Sequence, residues 1–246
     1  MRIGDALRYL RDFGWNDVDA PDRRPVGSGP AGVRCNEEEA PHSRPVEHSE
    51  SEPIGDPVQA PNLPQMAKLL KDCTRCRLSR ARTQVVFGIG SPEARVMFVG
   101  EGPGADEDRL GEPFVGRAGQ LLNAMLAAIG LARKSVYIAN VVKCRPPGNR
   151  DPEAEEAAEC LPFLRRQVEL VNPEVLVTLG RVAALRLLGL TGAIRDYRGR
   201  WTRWEGRPVL PIFHPAYLLR NPAAKAQAWV DLKELRRRLH AGVSVD

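Results

Sequence analysis

Residues 95–104 read Arg-Val-Met-Phe-Val-Gly-Glu-Gly-Pro-Gly, and this stretch decides the fold. A short apolar run that ends at Gly100 is typical of a strand buried on both faces. The glycines that follow let backbone N–H groups approach a flat ligand or an anion, although a tight turn without a ligand explains the same residues. The stretch does not open directly into a helix as a dinucleotide fingerprint does. It also lacks the Gly-Lys-Ser/Thr of a P-loop.

Strand and helix patterns alternate after this stretch, and they predict an α/β fold. We expect a single three-layer α/β/α domain with a central, mainly parallel four-stranded sheet. The predicted strands are 95–100, 136–142, 175–179 and a hairpin of 200–205 with 208–213, whose second limb joins the sheet. The predicted helices are 66–73, 119–129, 152–170, 181–188 and 226–239. Ligands bind at the carboxyl ends of such strands, which here precede the polar loops 100–118, 143–151 and 214–222.

The helix over 152–170 carries two further expectations. Asp151 is predicted as its N-cap, with Pro152 in the first turn, where a missing N–H is harmless. Pro162 lies inside the helix and is expected to kink or split it, because proline removes one backbone hydrogen bond there.

Residues 1–62 are predicted to be an N-terminal extension, and residues 63–246 to form the folded domain. Residues 4–16 place Leu7, Leu10 and Phe13 at helical spacing, so a short helix that docks on a partner protein or on its own domain is expected. Residues 17–62 contain no Leu, Met, Phe, Tyr or Trp, which predicts disorder. Cys35 lies there and is expected to be a free thiol without a role.

Charge is divided unevenly along the chain. Residues 1–62 hold seven Arg and twelve Asp or Glu, a balance of −5, and the remainder holds +10. A basic domain with an acidic tail is common among nucleic-acid binders, although a solvated surface has the same composition. No run of 18 apolar residues exists, and charges at Arg2, Asp5 and Arg8 interrupt any signal-peptide core. We therefore expect no membrane contact and a cytoplasmic location.

The other four cysteines suggest a metal site. Cys73 and Cys76 form a C-x2-C pair, and Cys144 and Cys160 lie far downstream. Four thiolates in a cytosolic chain suit zinc or a [4Fe–4S] cluster. The single C-x2-C pair favours the cluster, because zinc ribbons use two, but ordinary buried cysteines remain an alternative for the distant pair.

Two further loops carry candidate site residues. In Gly-Glu-Pro-Phe-Val-Gly-Arg-Ala-Gly (111–119), Phe114 is either a core residue or a stacking platform, and Arg117 suits a phosphate. In Phe-His-Pro-Ala-Tyr-Leu-Leu-Arg-Asn-Pro (213–222), His214 is either structural or catalytic. Leu218 and Leu219 beside Arg220 suggest an apolar wedge next to a phosphate contact, as in proteins that extract a base from a duplex.

Taken together and in this order, these motifs resemble the family 4 uracil-DNA glycosylases, the iron–sulfur type. The resemblance covers residues 63–239. It rests on Cys73-x2-Cys76, Gly-Glu-Gly-Pro-Gly (100–104), Pro-Phe-Val-Gly (113–116), Asn-Val-Val-Lys-Cys-Arg-Pro-Pro (140–147), Cys160 and His-Pro-Ala-Tyr-Leu-Leu-Arg (214–220). It implies an enzyme that removes uracil from single- and double-stranded DNA, and a structural [4Fe–4S] cluster at Cys73, Cys76, Cys144 and Cys160. The alternatives are a non-catalytic iron–sulfur DNA-binding protein on the same fold and a zinc protein that acts on nucleotides.

The resemblance also implies roles for pocket residues. Phe114 would stack on the flipped base, Asn140 would bind its O4/N3 edge, and His214 would donate to O2 of the leaving uracil. Glu107 would crowd the C5 face and help to reject thymine. The remaining base contacts would come from Glu101, Gly102, Pro103 and Gly104. The expected DNA contacts are Arg117, Lys143, Arg145, Leu218, Leu219 and Arg220.

The group that activates water stays open. Family 1 enzymes carry an aspartate where this chain has Gly102, so Glu101 and Asn140 are both candidates, and family 5 relatives carry an apolar residue at the Glu101 position. Relatives that bond covalently to the abasic sugar carry a histidine after the first motif, and residues 105–119 contain none. We therefore expect a monofunctional enzyme. We also expect it to be a monomer that is associated with the nucleoid.

Overall fold

The computed structural model describes residues 55–241 together with Arg8 and Arg11. The described residues form one sheet with the strand order β1-β3-β2-β4-β6-β5. Strands β3, β2, β4 and β6 are parallel, while β1 and β5 pair antiparallel at the two edges. The strands are β1 (Ile89–Gly90), β2 (Val96–Gly100), β3 (Tyr137–Asn140), β4 (Val175–Leu179), β5 (Thr202–Trp204) and β6 (Arg207–Ile212).

Helices cover both faces of this sheet. The α-helices are α1 (Leu63–Leu70), α2 (Ala105–Leu110), α3 (Arg117–Ala128), α4 (Ala154–Val171), α5 (Arg181–Leu188), α6 (Ile194–Tyr197), α7 (Pro215–Arg220) and α8 (Lys225–Ala241). Short 3-10 helices span Pro57–Gln59, Arg77–Arg80, Arg133–Ser135, Pro147–Asn149 and Pro222–Ala224.

Alternation along β2 explains the three layers. Val96 and Phe98 belong to a core cluster shared with α3, α7 and α8, whereas Met97 and Val99 belong to a second cluster shared with α1, α4 and α5. Successive side chains of a strand point to opposite faces, so a strand of apolar residues needs helices on both sides. The predicted α/β/α domain is therefore confirmed.

The predicted strand count was four, and the described sheet has six. The four predicted strands are its parallel centre, and the two additional strands are the antiparallel edges. Strand β5 is the first limb of the predicted hairpin, which was not counted among the four, whereas β1 was missed because its two residues are too few for an alternating pattern to be recognised. The hairpin prediction was otherwise correct, because β5 and β6 pair as its two limbs.

Several helix predictions need correction. Helix α4 begins at Ala154 with Glu153 as its N-cap, rather than after Asp151, and Glu156 closes a capping box by accepting from the Glu153 N–H. The same helix continues through Pro162 without a break. Cys160 and Phe163 lie on either side of Pro162 in the sequence and are buried, and their packing holds the helix in place. The loops predicted over 100–118 and 214–222 contain helices α2 and α7.

Residues 55–62 contact the domain, although they were included in the extension predicted to be disordered. The side chain of Asn62 caps α1 by accepting from the Gln65 N–H at 2.9 Å, which explains why α1 begins at Leu63 rather than at Met66. The Ala60 carbonyl accepts two hydrogen bonds from Arg166.

The other predictions for the N-terminal region fall largely outside the described residues. Arg8 and Arg11 have helical backbone. The rest of the helix predicted over 4–16, the disorder predicted over 17–54 and the role of Cys35 lie outside the described residues. Among residues 55–241, no helix has the length and apolar character needed to cross a membrane.

Candidate active site

One pocket lies at the carboxyl ends of β2, β3 and β6, where a parallel sheet binds ligands. Its volume is about 410 Å³, within the range of small-molecule sites. It is lined by all eight predicted base contacts: Glu101, Gly102, Pro103, Gly104, Glu107, Phe114, Asn140 and His214. Arg220, which was predicted to contact DNA, also lines the pocket. The other lining residues were not predicted to belong to it: Ala118, Pro146, Asn149, Arg150, Asp151 and Ala216.

Two glycines bring the functional side chains together. A Cβ on Gly100 would overlap the Asn140 side-chain oxygen and lie 2.7 Å from Cζ of Phe114. Gly180 follows β4 with φ +90°, and a Cβ there would lie 2.9 Å from the Cβ of His214. Glycine at both positions thus permits close approach of Asn140, Phe114 and His214, a requirement that the sequence motif does not reveal by itself.

Asn140 is the last residue of β3, and its register beside Gly100 fixes its place in the pocket. The residue is buried, with 1 % of its surface exposed, and its backbone carbonyl accepts from the Lys143 ammonium at 2.8 Å. Its Oδ1 has no hydrogen-bond partner among the described residues. Because a buried oxygen without a partner is unfavourable, this atom is suited to a ligand that donates a hydrogen bond.

His214 caps α7, and the cap fixes the position of its proton. Its Nδ1 accepts from the Ala216 N–H at 3.0 Å, so a neutral imidazole carries its proton on Nε2. Burial, aided by the nearby Arg220 charge, lowers the pKa of His214 to about 4. The ring is therefore neutral at physiological pH, with Nε2–H available as a donor.

Glu101 follows β2 and lies near Asp151 and Arg181. Burial, followed by repulsion from Asp151, raises the pKa of Glu101 to about 7, although Arg181 opposes the shift. Asp151 itself pairs with Arg181 at 2.6 Å. A carboxyl group with such a pKa can hold or accept a proton near neutral pH. Asp151, predicted only as a helix cap, thus belongs to the surroundings of this group.

Glu107 holds two loops of the pocket in place. One carboxylate oxygen accepts from the Gly104 N–H at 3.1 Å, and the other accepts from Val115 and Gly116 at 2.9 and 3.0 Å. Between these loops, the ring of Phe114 lies 5.5 Å from the His214 ring, centroid to centroid. Phe114 is buried in the core cluster that includes α3, and it also lines the pocket.

The four predicted metal ligands surround one small cavity under α1 and α4. Cys73, Cys76, Cys144 and Cys160 all line it, and none forms a disulfide. The Arg82 guanidinium donates to the Cys144 sulfur at 3.2 Å, and the Lys143 N–H donates to the Cys160 sulfur at 3.3 Å.

Burial raises the pKa of the Cys160 thiol to about 12. Within the described part of the chain, no three Cys, His, Asp or Glu side chains converge closely enough to bind one metal ion.

The structure does not present all predicted DNA contacts to solvent. Arg117 and Arg220 are exposed, and Arg145 and Leu219 are partly exposed. Lys143, in contrast, is buried with 1 % exposure and donates to Asn140 and Gln167. That location excludes it as a phosphate contact.

The predicted wedge also needs correction. Leu218 is fully buried in the core cluster that includes α3, because α7 turns this side chain inward. The exposed large hydrophobic side chain of α7 is Tyr217, which stacks on Phe213 with the ring centroids 5.0 Å apart.

Comparison with known proteins identifies the family. The family model of the uracil DNA glycosylase superfamily matches residues 87–233. The chain is 50% identical over 158 residues to a type-4 uracil-DNA glycosylase of Thermotoga maritima, covering 63% of this chain and 82% of that protein. It is 43% identical over 182 residues to the type-4 enzyme of Archaeoglobus fulgidus, covering 71% and 92%.

Similarity to a type-5 uracil-DNA glycosylase of Pyrobaculum aerophilum is lower, at 37% over 147 residues, covering 52% of this chain and 64% of that protein. The chain therefore belongs to the uracil-DNA glycosylase superfamily and, within it, to the type-4 uracil-DNA glycosylases.

Proposed function

We propose that this chain binds uracil flipped out of DNA and hydrolyses its N-glycosidic bond, releasing free uracil and leaving an abasic site. The observation that carries the proposal is the single pocket that gathers all eight predicted base contacts around the unpartnered Asn140 Oδ1. Enzymes that act on a base inside a duplex extrude it into such a pocket and bind its pairing edge by hydrogen bonds and stacking.

Uracil recognition follows from the chemistry of two side chains. The pairing edge of uracil presents an N3–H donor beside an O4 acceptor. The Asn140 amide offers a matching acceptor and donor, and its buried Oδ1 would gain the partner that it lacks. Phe114 stacks on the base, and the backbone of residues 101–104 closes the other side.

Glu107 favours uracil over thymine by occupying the C5 side of the pocket. Its carboxylate accepts from three backbone N–H groups. If the methyl group of thymine displaced the side chain, these donors would be left unpaired, so the side chain resists the displacement.

Bond cleavage places negative charge on the departing uracil. His214 donates Nε2–H to O2 as this charge develops, and its orientation is set beforehand by the Ala216 N–H. Removing one preorganised donor of this kind typically lowers a rate about 10²- to 10³-fold. Water attacks the sugar, and either the Glu101 carboxylate or the Asn140 side chain positions it.

The four cysteines suit a [4Fe–4S] cluster. Each iron of a cubane takes one thiolate, so its four ligands do not need to converge on one ion, as the ligands of a zinc ion do. N–H donors to the Cys144 and Cys160 sulfurs stabilise thiolates there. The cluster would supply a structural cross-link between the segment after α1, the segment after β3 and α4.

DNA is held through its phosphates by the exposed Arg117 and Arg220 and by Arg145, a contact that does not depend on sequence. We place this monofunctional activity on single- and double-stranded DNA, in a monomer located in the cytoplasm at the nucleoid. A protein partner of the N-terminal region is part of the proposal as well.

The proposal is tested by uracil release. Purified protein with its cluster is incubated with a single-stranded and a duplex oligonucleotide, each containing one deoxyuridine, and free uracil is measured by chromatography. We expect release from both, and none from matched oligonucleotides with thymidine at that position. Absence of free uracil with protein that still binds these oligonucleotides would instead indicate a DNA-binding protein without glycosylase activity.

A further inference from the structure

The loop between α2 and α3 holds Phe114 in an unusual backbone conformation. Phe114 has φ +54°, in the left-handed region that residues other than glycine rarely adopt. The ring reaches the pocket from this conformation, close to Gly100 and beside His214. A strained residue persists only when the surrounding structure imposes the strain.

Two charged side chains hold the peptide groups on either side of Phe114. Arg133 donates from Nη2 to the Pro113 carbonyl at 2.5 Å and from Nη1 to the Phe114 carbonyl at 3.2 Å. Glu107 accepts from the next two amides, those of Val115 and Gly116. Hydrogen bonds from charged groups thus fix the loop before and after the strained residue.

Arg133 is itself held in place. Its Nη1 also donates to Oδ1 of Asn123 on α3 at 3.2 Å, and its backbone lies in the short helix Arg133–Ser135 that leads into β3. A planar guanidinium can donate to two successive carbonyls at once, which a lysine ammonium cannot do with the same geometry. Arg133 does not line the pocket, whereas Glu107 does, so a change of Arg133 removes no side chain from the pocket wall itself and can act only through the residues that it holds.

We propose that Arg133 is a positioning residue, which holds Phe114 in its left-handed conformation and thereby keeps the stacking ring over the uracil site. This inference deepens the proposed function and rests on it, since the ring acts by stacking on the base. Without the two hydrogen bonds, the loop relaxes to an ordinary φ and the ring leaves the pocket.

The test compares Arg133→Met with Arg207→Met. Arg207 makes similar bonds, to the Asn172 side chain at 2.8 Å and the Pro173 carbonyl at 3.2 Å, but it lies at the start of β6, the end remote from the pocket. We expect uracil release under single-turnover conditions to fall roughly 5- to 30-fold in Arg133→Met, the factor that corresponds to a left-handed residue's strain. Arg207→Met should release uracil at the wild-type rate.

A second measurement follows the ring directly. The Phe114 ring shifts the imidazole resonances of His214, which are identified in the NMR spectrum by their loss in His214→Gln. Arg133→Met should move these resonances towards positions free of a ring effect, Arg133→Lys should move them part of the way, and Arg207→Met should leave them in place. If Arg133→Met does not fold, Arg133→Lys provides the same comparison.

Unchanged His214 resonances and wild-type release in a folded Arg133 variant would overturn the inference. Equal losses of rate and melting temperature in the Arg133 and Arg207 variants would also overturn it, because they would show a general structural role. If the wild-type protein releases no uracil, the proposed function fails, while the NMR comparison still decides whether Arg133 holds the ring.

Discussion

Asn140 and Cys144 lie four positions apart on one segment, yet they belong to sites of opposite character. In the pocket, Asn140 Oδ1 has no partner among the described residues, and His214, whose Nδ1 accepts from the Ala216 N–H, keeps Nε2–H as a donor. In the cysteine site, the Cys144 and Cys160 sulfurs each receive an N–H donor. A site that binds and releases a ligand leaves polar atoms without protein partners, so that the ligand can pair with them. A site suited to a permanent group already has protein donors in place around the residues that would hold it.

The comparison predicts that damage to the two sites will have separate consequences. Changes in the pocket should lower the rate of uracil release and alter the stability of the fold little, because the hydrogen bond that is lost is one to the ligand. Changes in the cysteine site should lower the stability of the fold, while the molecules that remain folded should release uracil at an unchanged rate.

The largest expected effect is that of Cys144→Ser on stability. Loss of a proposed ligand should release the proposed cross-link between the segment after α1, the segment after β3 and α4, and losses of this class reach about 4 kcal/mol. For a domain of this size the melting temperature should fall by roughly 8–16 °C. Calorimetry and the visible absorption of the cluster check the change, and His214→Ala, which leaves the cysteines intact, is the control. A colourless variant with wild-type melting temperature would contradict a structural role for the site.

The next effect is that of His214→Ala on the rate. Removing the donor to O2 should slow uracil release about 10²- to 10³-fold, while the visible spectrum stays that of the wild type. The melting temperature should fall by only roughly 2–4 °C, because the α7 cap that is lost with the imidazole contributes about 1 kcal/mol. Single-turnover release from a deoxyuridine oligonucleotide measures the change. A rate within threefold of wild type, on the order of 0.6 kcal/mol, would show that the leaving base is stabilised elsewhere.

Lys143 lies between the two sites and tests how separate they are. Its ammonium donates to the Asn140 carbonyl and to Gln167, and its own N–H donates to Cys160. Lys143→Met leaves the Asn140 and Gln167 oxygens unpaired, at a cost of about 2 kcal/mol. We expect a melting temperature lower by roughly 4–8 °C together with weaker binding of free uracil, because Asn140 loses its support.

A double variant sharpens this test. Lys143→Met with Gln167→Leu removes both members of one hydrogen bond, but it also unpairs the Phe87 carbonyl, to which Gln167 Nε2 donates at 2.9 Å, so no gain of stability over Lys143→Met is expected. Uracil binding should stay weak, since the Asn140 carbonyl is still unpaired. Recovery of uracil binding in calorimetric titrations would show that Lys143 does not act through Asn140.

The sequence predicted the gathering of the pocket residues for a physical reason. Gly100, Asn140 and His214 all lie at or near the carboxyl ends of predicted parallel strands, and the carboxyl ends of parallel strands meet at one edge of the sheet. The eight base contacts were therefore found together without knowledge of any distance, although the role of each in binding is still a prediction.

Burial by distant partners could not be predicted in the same way. A lysine in a polar loop suits a phosphate, and only its partner Gln167, 24 positions away on α4, shows that Lys143 points inward. Leu218 was assigned to the surface because the six-residue α7 is too short for a hydrophobic period. The contacts of Arg133 with Pro113 and Phe114 likewise depend on chain segments about 20 positions apart, which no local pattern links.

The smallest expected effect distinguishes the two candidates for positioning water. The pKa of Glu101 is about 7, raised by burial and by Asp151, whereas that of His214 is about 4, so of these two pocket groups only Glu101 changes charge between pH 5.5 and 8. If the Glu101 carboxylate positions water, the single-turnover rate should fall about tenfold for each unit of pH below 7, since only the deprotonated fraction is active.

Glu101→Gln should then be slow and independent of pH, because it cannot lose a proton. If Asn140 positions water instead, the wild-type rate should stay level across this range, and Glu101→Gln should release uracil at a similar rate. A pH-dependent fall that persists unchanged in Glu101→Gln would exclude Glu101 as its source.

Because a raised carboxyl pKa also means that folding binds a proton, the stability contributed by protonated Glu101 is lost as pH rises towards 7, opposite to the predicted rise in rate. Rate and melting temperature measured over the same pH series should therefore move in opposite directions if Glu101 is the responsible group.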